Sequence, residues 1–266
     1  MAINHKKDIL GPTSRTNLED QPRMIYKREG ETPLEALERY RQKHKELNDL
    51  PMTYAGRLDP MAHGQLLCLV GTACKEKDKY NKLDKIYEFE ILLGIHTDTY
   101  DILGMIDKTD IRYFERNEIE NIDKEIMKFV GKKEQKYPPF SSKTIDGKSM
   151  FDLAKRGKLS ADNIPSHEIE IYSIEKVSSS RIVGRELEMD ILNRIKKVKG
   201  DFRQDAISRL WSENLESNLD RVFEIVKFRA RVSSGTYIRS LVHELSQMIN
   251  IPLCTYSIYR KDIVLI

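Results

Sequence analysis

Residues 222–232 (VFEIVKFRARV) set Val226, Phe228, Ala230 and Val232 at alternate positions, with Lys227, Arg229 and Arg231 between them. A period of two with one apolar and one charged face marks a strand with a core side and a wet side, the pattern of antiparallel sheets. Ser234-Gly235-Thr236 then interrupts the pattern. Residues 236–249 switch to helical spacing, with Leu241, Leu245 and Met248 facing inward and Thr236 placed to cap. Upstream, 66–70, 86–94 (IYEFEILLG) and 168–177 read as strands. So does 182–192, where Leu187, Met189 and Ile191 alternate with Glu188 and Asp190. The closing stretch (IPLCTYSIYRKDIVLI) supplies one or two more. Thr32-Pro33-Leu34-Glu35 is a capping-box start for a helix to about Lys45. Ile119, Ile122, Ile126 and Phe129 predict a helix over 117–130.

Strands and helices alternate without a βαβ rhythm. The fold class is therefore α+β, with a mixed, mostly antiparallel sheet flanked by helices and loops. Residues 1–23 read as a polar arm and 24–266 as one domain. Within it, 51–65 reads as a loop and 193–221 as a charged helical insertion between two strands. The insertion carries seven Lys/Arg and Trp211 between residues 194 and 221, against five acids, so it reads as an RNA contact or as a structural brace.

The chain has 266 residues, 39% apolar and 33% charged, which excludes a disordered chain and an apolar membrane span alike. Its 45 basic and 42 acidic residues leave a net +3, so any nucleic-acid footprint must lie in the distribution of charge. Residues 132–158 hold eight Lys/Arg against three acids, with Tyr137, Phe140 and Phe151 among them. Cations suit phosphates and rings suit unpaired bases; the same composition also describes a solvated lysine-rich loop. Cys68, Cys74 and Cys254 form no CxxC pair, and the N-terminus lacks a secretory apolar run. Both fit a reducing, cytoplasmic setting.

Gly56-Arg57-Leu58-Asp59-Pro60 holds a carboxylate in a turn, where Pro60 restricts Asp59 to extended conformations. Tyr87 opens a strand, and Arg239 stands in the first turn of a helix, where the dipole disfavours a cation and a nearby carboxylate would answer it.

Together these segments resemble the TruB family of pseudouridine synthases, in order, over roughly residues 25–260. Ile25–Thr32 is similar to the opening Lys-Pro-x-Gly-x-Thr segment, with Arg28 in place of Pro. GRLDPMAHGQLLCLVGTACK (56–75) resembles the signature loop with Asp59 at the nucleophile position. KIYEFEILLGIHTDTYDILG (85–104) places Tyr87 at the active-site tyrosine, and GTYIRSL (235–241) places Arg239 at the active-site arginine. Tyr54 stands where bacterial members usually have His, and the chain stops before the small C-terminal RNA-binding domain of many members.

The resemblance implies a pseudouridine synthase fold and isomerisation of uridine 55 in the tRNA T-arm by base flipping, glycosidic cleavage and C–C reattachment. It implies no cofactor and no metal, since no redox step occurs and no atom is added. It assigns Asp59, Tyr87 and Arg239 to catalysis, with Arg239 holding Asp59 at two points. It assigns Tyr54, Arg57, Lys27, Lys143, Lys148 and Arg156 to RNA, with 132–158 as the gripping thumb. The expected partner is the tRNA T-arm, with no membrane and a monomer as default. The alternative is a non-catalytic tRNA-binding or tRNA-folding protein on the same fold. A glycosidase-like use of Asp98 and Asp101 is disfavoured, because both lie in a Gly-bounded turn where they bond to backbone.

Overall fold

The computed structural model describes residues 21–265. The expected arm lies outside the described residues up to residue 20, and Arg23 already opens a strand. β1 (Arg23–Lys27) leads to α1 (Pro33–Lys43), β2 (Met52–Ala55), β3 (Ala62–Val70), α2 (Lys77–Asn81) and β4 (Asp84–Leu93). The short pair β5 (Ile95–Thr97) and β6 (Ile106–Thr109) precedes α3 (Arg116–Met127). β7 (Gly131–Lys136) is followed by the small hairpin β8 (Thr144–Ile145) and β9 (Lys148–Ser149), then α4 (Met150–Lys155). β10 (Ser166–Val183), α5 (Gly184–Ile195), α6 (Gln204–Leu215), β11 (Val222–Val232), α7 (Ile238–Ile249) and β12 (Leu253–Val264) complete the chain.

Eight strands form one sheet in the order β1-β3-β12-β4-β11-β10-β7, with β2 also paired to β3. Every pairing is antiparallel except β12 with β3. That parallel pair is close. Gly64 has φ +115°, and a Cβ there would lie 2.2 Å from the Arg260 carbonyl oxygen, so only glycine lets the strands meet.

Both faces of the sheet are covered, with side chains sorted by strand parity. On one face Phe89, Ile91, Val226, Phe228 and Ala230 pack with Ile122 and Ile126 of α3 and Leu241 and Leu245 of α7. On the other, Leu92, Ile225, Cys254 and Tyr256 pack with Leu187, Ile191 and Ile195 of α5 and Ile207, Trp211 and Leu215 of α6. The charged insertion thus has an apolar spine, and Trp211 is fully buried. That is the packing of a brace.

The expected strand over 182–192 is instead the end of β10 and most of α5. Leu187, Ile191 and Ile195 stand four apart and are fully buried, while Met189, apolar in the alternating reading, is 59% exposed. Five alternating residues satisfied both periods, and packing chose the helical one. The expected loop 51–65 contains β2 and the start of β3. Met248 is outward, not inward. Tyr237 takes the α7 N-cap position, and the Thr236 hydroxyl donates to the Ser233 carbonyl at 3.0 Å instead of capping. The α1 capping box is as read, with Glu35 N donating to Thr32 Oγ1 at 3.2 Å and Thr32 N to Glu35 Oε2 at 2.8 Å.

Of the basic stretch 132–158, residues 132–136 belong to the sheet as β7. The excursion beyond it, carrying the small hairpin and α4, returns to β10, which pairs with β7. Fully buried Gln135 anchors this edge to α7, accepting from Tyr237 N at 2.8 Å and donating to the Tyr237 carbonyl at 3.1 Å.

Candidate active site

Asp59 stands on the loop between β2 and β3, above the sheet end where α7 begins. Local bonds fix the loop: Ala62 N donates to Asp59 O at 3.1 Å, and Gly30 N to Pro60 O at 2.9 Å. Lys27 holds it from below. Its Nζ donates to the carbonyls of Ala62 at 2.6 Å, Arg28 at 3.1 Å and Pro60 at 3.2 Å. Lys27 is fully buried, so it cannot reach an RNA phosphate, and the expected RNA contact is corrected to a support of the Asp59 loop. Burial pushes its ammonium down to about 8, with Asp59 opposing. No local signal marks this burial, because a lone cation at a strand end is ordinarily exposed.

Arg239, 3% exposed, reaches Asp59 from the first turn of α7, its Nε donating to Asp59 Oδ2 at 2.8 Å. Nη1 donates to the Thr99 carbonyl at 2.9 Å and Nη2 to the Phe140 carbonyl at 3.2 Å. The two-point hold on the carboxylate is therefore not what forms. The fork joins Asp59, the Thr99 turn and the thumb through three separate acceptors. Asp101 Oδ2 lies 3.7 Å from Nε. Burial opposes the Arg239 charge, and Asp59 and Asp101 outweigh it, holding the guanidinium above its usual range. Burial raises Asp101 in turn; its Oδ1 accepts from Leu103 N at 3.0 Å and Thr99 Oγ1 at 2.7 Å, the turn role read from sequence.

Asp59 borders two cavities. The larger, about 490 Å³, is lined by Asp59, Arg239, Phe140, Phe151, Phe202 and Arg203 among others. The smaller, about 190 Å³, is lined by Asp59, Tyr87, Lys85, Tyr237, Gly56 and Arg260 among others. Tyr87, 7% exposed, is the ring in the smaller one. Tyr237 stands beside it, its hydroxyl pushed up to about 12 by burial and the Asp59 charge. Asp59, Tyr87 and Arg239 thus converge.

The candidate RNA residues divide. Arg57 is exposed, lines both cavities and donates to the Tyr54 hydroxyl at 3.2 Å. Tyr54 is half-buried with Lys77 Nζ 5.2 Å from its ring centre, and it lines neither cavity. Lys143, Lys148 and Arg156 are exposed on the thumb, Lys143 lying 5.2 Å over the Tyr137 ring.

Sequence reasoning missed four residues of the site. Lys85 stands two before Tyr87, a same-face position on a strand, so parity was a usable signal. Arg260 stands two after Ile258 on the face that Ile258 shares with Tyr87. Phe202 and Arg203 come from the insertion, and no local pattern announced them. Arg203 pairs with Asp98 at 2.7 and 3.1 Å, and its guanidinium lies 4.2 Å over the Phe140 ring. Phe202 meets Phe151 edge-on at 5.4 Å, and Lys155 pairs with Asp201 at 2.5 Å. The insertion and Arg239 together hold the thumb against the cleft. Among the described residues no three His, Cys, Asp or Glu side chains converge as a metal site requires. No described helix is long and apolar enough to cross a membrane.

Residues 45–194 match the N-terminal domain of the TruB family pseudouridylate synthases. The chain is 32% identical to tRNA pseudouridine synthase B of Borreliella burgdorferi over 76% of this chain and 70% of that one. It is 26% identical to the protein of the same name from Thermotoga maritima, over 90% of this chain and 62% of the relative. It is 24% identical to tRNA pseudouridine synthase 4 of Saccharomyces cerevisiae, over 78% of this chain and 59% of the relative. A solved Cbf5–Nop10–Gar1 complex contains a chain of the same fold, with TM-score 0.51 and 17% identity, over 90% of this chain and 48% of that chain.

Proposed function

The chain belongs to the TruB family and is a pseudouridine synthase; from that premise we propose that it isomerises uridine 55 in the T-arm of tRNA, with Asp59 as the nucleophile. The observation that carries this reading is Asp59 at the junction of two cavities, its direction set by buried Arg239 and the Tyr87 ring beside it.

The geometry supports the following course. The target uridine turns out of its loop, at a cost of a few kcal/mol of unstacking. Phosphate contacts from Arg57, Lys143, Lys148 and Arg156 offset that cost, so binding weakens as salt rises. The base enters beside Tyr87. Arg239 holds Asp59 through Oδ2, and the other carboxylate oxygen bonds to C1′. The N1–C1′ bond breaks with its electron pair on the base. The base turns, C5 gives its pair to C1′, and the Asp59–C1′ bond breaks with its pair returning to the carboxylate. The C5 proton leaves and N1 regains one. Atoms and electrons balance within the nucleotide, and the chemistry needs no electron acceptor.

The test is tritium release from tRNA labelled at uridine C5, comparing wild type with Asp59→Asn. Release from position 55 that vanishes in the variant is expected. Tight tRNA binding with no release from position 55 would overturn the reading in favour of a different target uridine or of a binding protein on this fold, for which Asp59→Asn would change nothing.

A further inference from the structure

The smaller cavity holds a cationic pair that the proposed course leaves unused. Arg260 is fully buried and Lys85 is 5% exposed. Arg260 Nε donates to the Gln65 carbonyl at 2.6 Å, but its two terminal nitrogens, Nη1 and Nη2, are buried without a partner among the described residues. Lys85 Nζ has the Asn81 carbonyl at 2.9 Å. The carboxylate among the residues lining this cavity is Asp59, which Arg239 already engages. A guanidinium buried with two idle donors is costly, and such a group is ordinarily paired.

The fold aims both cations at one spot. Arg260 is the cross-strand partner of Tyr87, and Lys85 lies two residues before Tyr87 on β4. All three therefore rise from the same sheet face. Gly56, at φ +67°, keeps the space above them open. A Cβ there would lie 3.4 Å from both Arg260 Nη1 and Lys85 Cε. Burial, with Arg260 adding to it, pushes Lys85 down to about 8.

We propose that Lys85 and Arg260 are catalytic residues that bind the carbonyl oxygens of the target uracil and stabilise the anion it becomes when the N1–C1′ bond breaks. This rests on the reading of the cleft as a uridine site. The electron pair released to N1 delocalises onto O2 and O4, so charge develops on the oxygens facing the idle donors. Fixed donors aimed where charge develops act most strongly in a buried site. A backbone phosphate fits less well, since it is tethered on both sides and stays near the surface. A flipped base is a free-ended group that reaches the floor.

The experiment compares single-turnover consumption of tRNA carrying uridine or 5-fluorouridine at the target position, with wild type, Arg260→Gln, Arg260→Lys and Lys85→Met. Fluorine withdraws charge and stabilises the base anion by itself. Arg260→Gln and Lys85→Met should each slow uridine about 100-fold and slow 5-fluorouridine at least about tenfold less. Arg260→Lys should recover part of the rate, with tRNA affinity unchanged. Equal slowing on both bases, or wild-type rates in both variants, overturns the proposal alone. A wild type inactive on uridine overturns the synthase reading and this proposal with it. Because the two cations stand on different strands, a folding failure in one variant leaves the other to decide.

Discussion

Arg239→Lys is the sharpest test of how Asp59 is held. Arg239 spans three acceptors from one buried plane: Asp59 Oδ2 at 2.8 Å, the Thr99 carbonyl at 2.9 Å and the Phe140 carbonyl at 3.2 Å. An ammonium on a shorter stem keeps the charge but cannot reach three divergent oxygens. If it stays with the buried Thr99 carbonyl, Asp59 loses a charge-assisted bond of about 1.5–3 kcal/mol. If it follows Asp59, the Thr99 carbonyl is orphaned at about 1–3 kcal/mol. In either case the thumb loses its tie at Phe140. With about 1.4 kcal/mol per tenfold in rate, the loss of orientation and of thumb closure together should lower single-turnover pseudouridine formation about 100- to 1000-fold. The melting temperature should fall by a few degrees and tRNA affinity should hold, since Arg239 is buried away from the phosphates. Turnover within threefold of wild type in a folded Arg239→Lys protein would refute the reasoning.

Lys27→Met should lower both melting temperature and turnover, because three carbonyls of the Asp59 loop lose their donor. Its tRNA affinity should keep the wild-type salt slope; a slope reduced by about one would mean that Lys27 contacts a phosphate after all. Trp211→Ala should cost about 3–5 kcal/mol in urea unfolding without a change in the salt dependence of tRNA binding, which an RNA-contacting insertion would not allow. Arg203→Ala removes the Asp98 pair and the Phe140 stack, so limited proteolysis within 140–158 should speed up; an unchanged cleavage rate would show that the insertion does not hold the thumb. Glu88 is held down to about 2, chiefly by Lys261 and then by Arg229 and Lys227. A depressed carboxylate contributes stability above its unfolded value and loses it as pH falls toward the folded one. The stability gap between wild type and Glu88→Gln should therefore be full at pH 7 and narrow from about 4.5 toward 2; a gap independent of pH would remove the ion cluster as its cause.

Local patterns were legible wherever one physical period dominated. The alternation of 222–232 became β11 with the expected face inward, because a half-buried strand must alternate. Thr32 and Glu35 capped α1, because the capping bonds lie within four residues. Asp59, Tyr87 and Arg239 were recognisable from the short motifs around them. Residues 182–192 failed because Leu187 and Ile191 fit both a period of two and a spacing of four, and only the core beside Trp211 could choose.

What tertiary structure alone decided concerns charge. The sequence shows Lys27, Lys85, Arg203 and Arg260 as four cations among 45 basic residues. Strand parity points to Lys85 and Arg260, but the groups that withdraw each of the four from water come from elsewhere in the chain. Lys27 is held by carbonyls about 35 residues away, Arg203 by Asp98 across 105 residues, and Arg260 stands opposite Tyr87 through strand pairing. A side chain's chemical type is written locally, whereas its partner and its distance from water follow from strand order and helix packing. The sequence by itself therefore determined the kind of sheet and the turn that carries Asp59. Only the folded chain decided which cations support that carboxylate from below, and which stand idle in the cavity beside it.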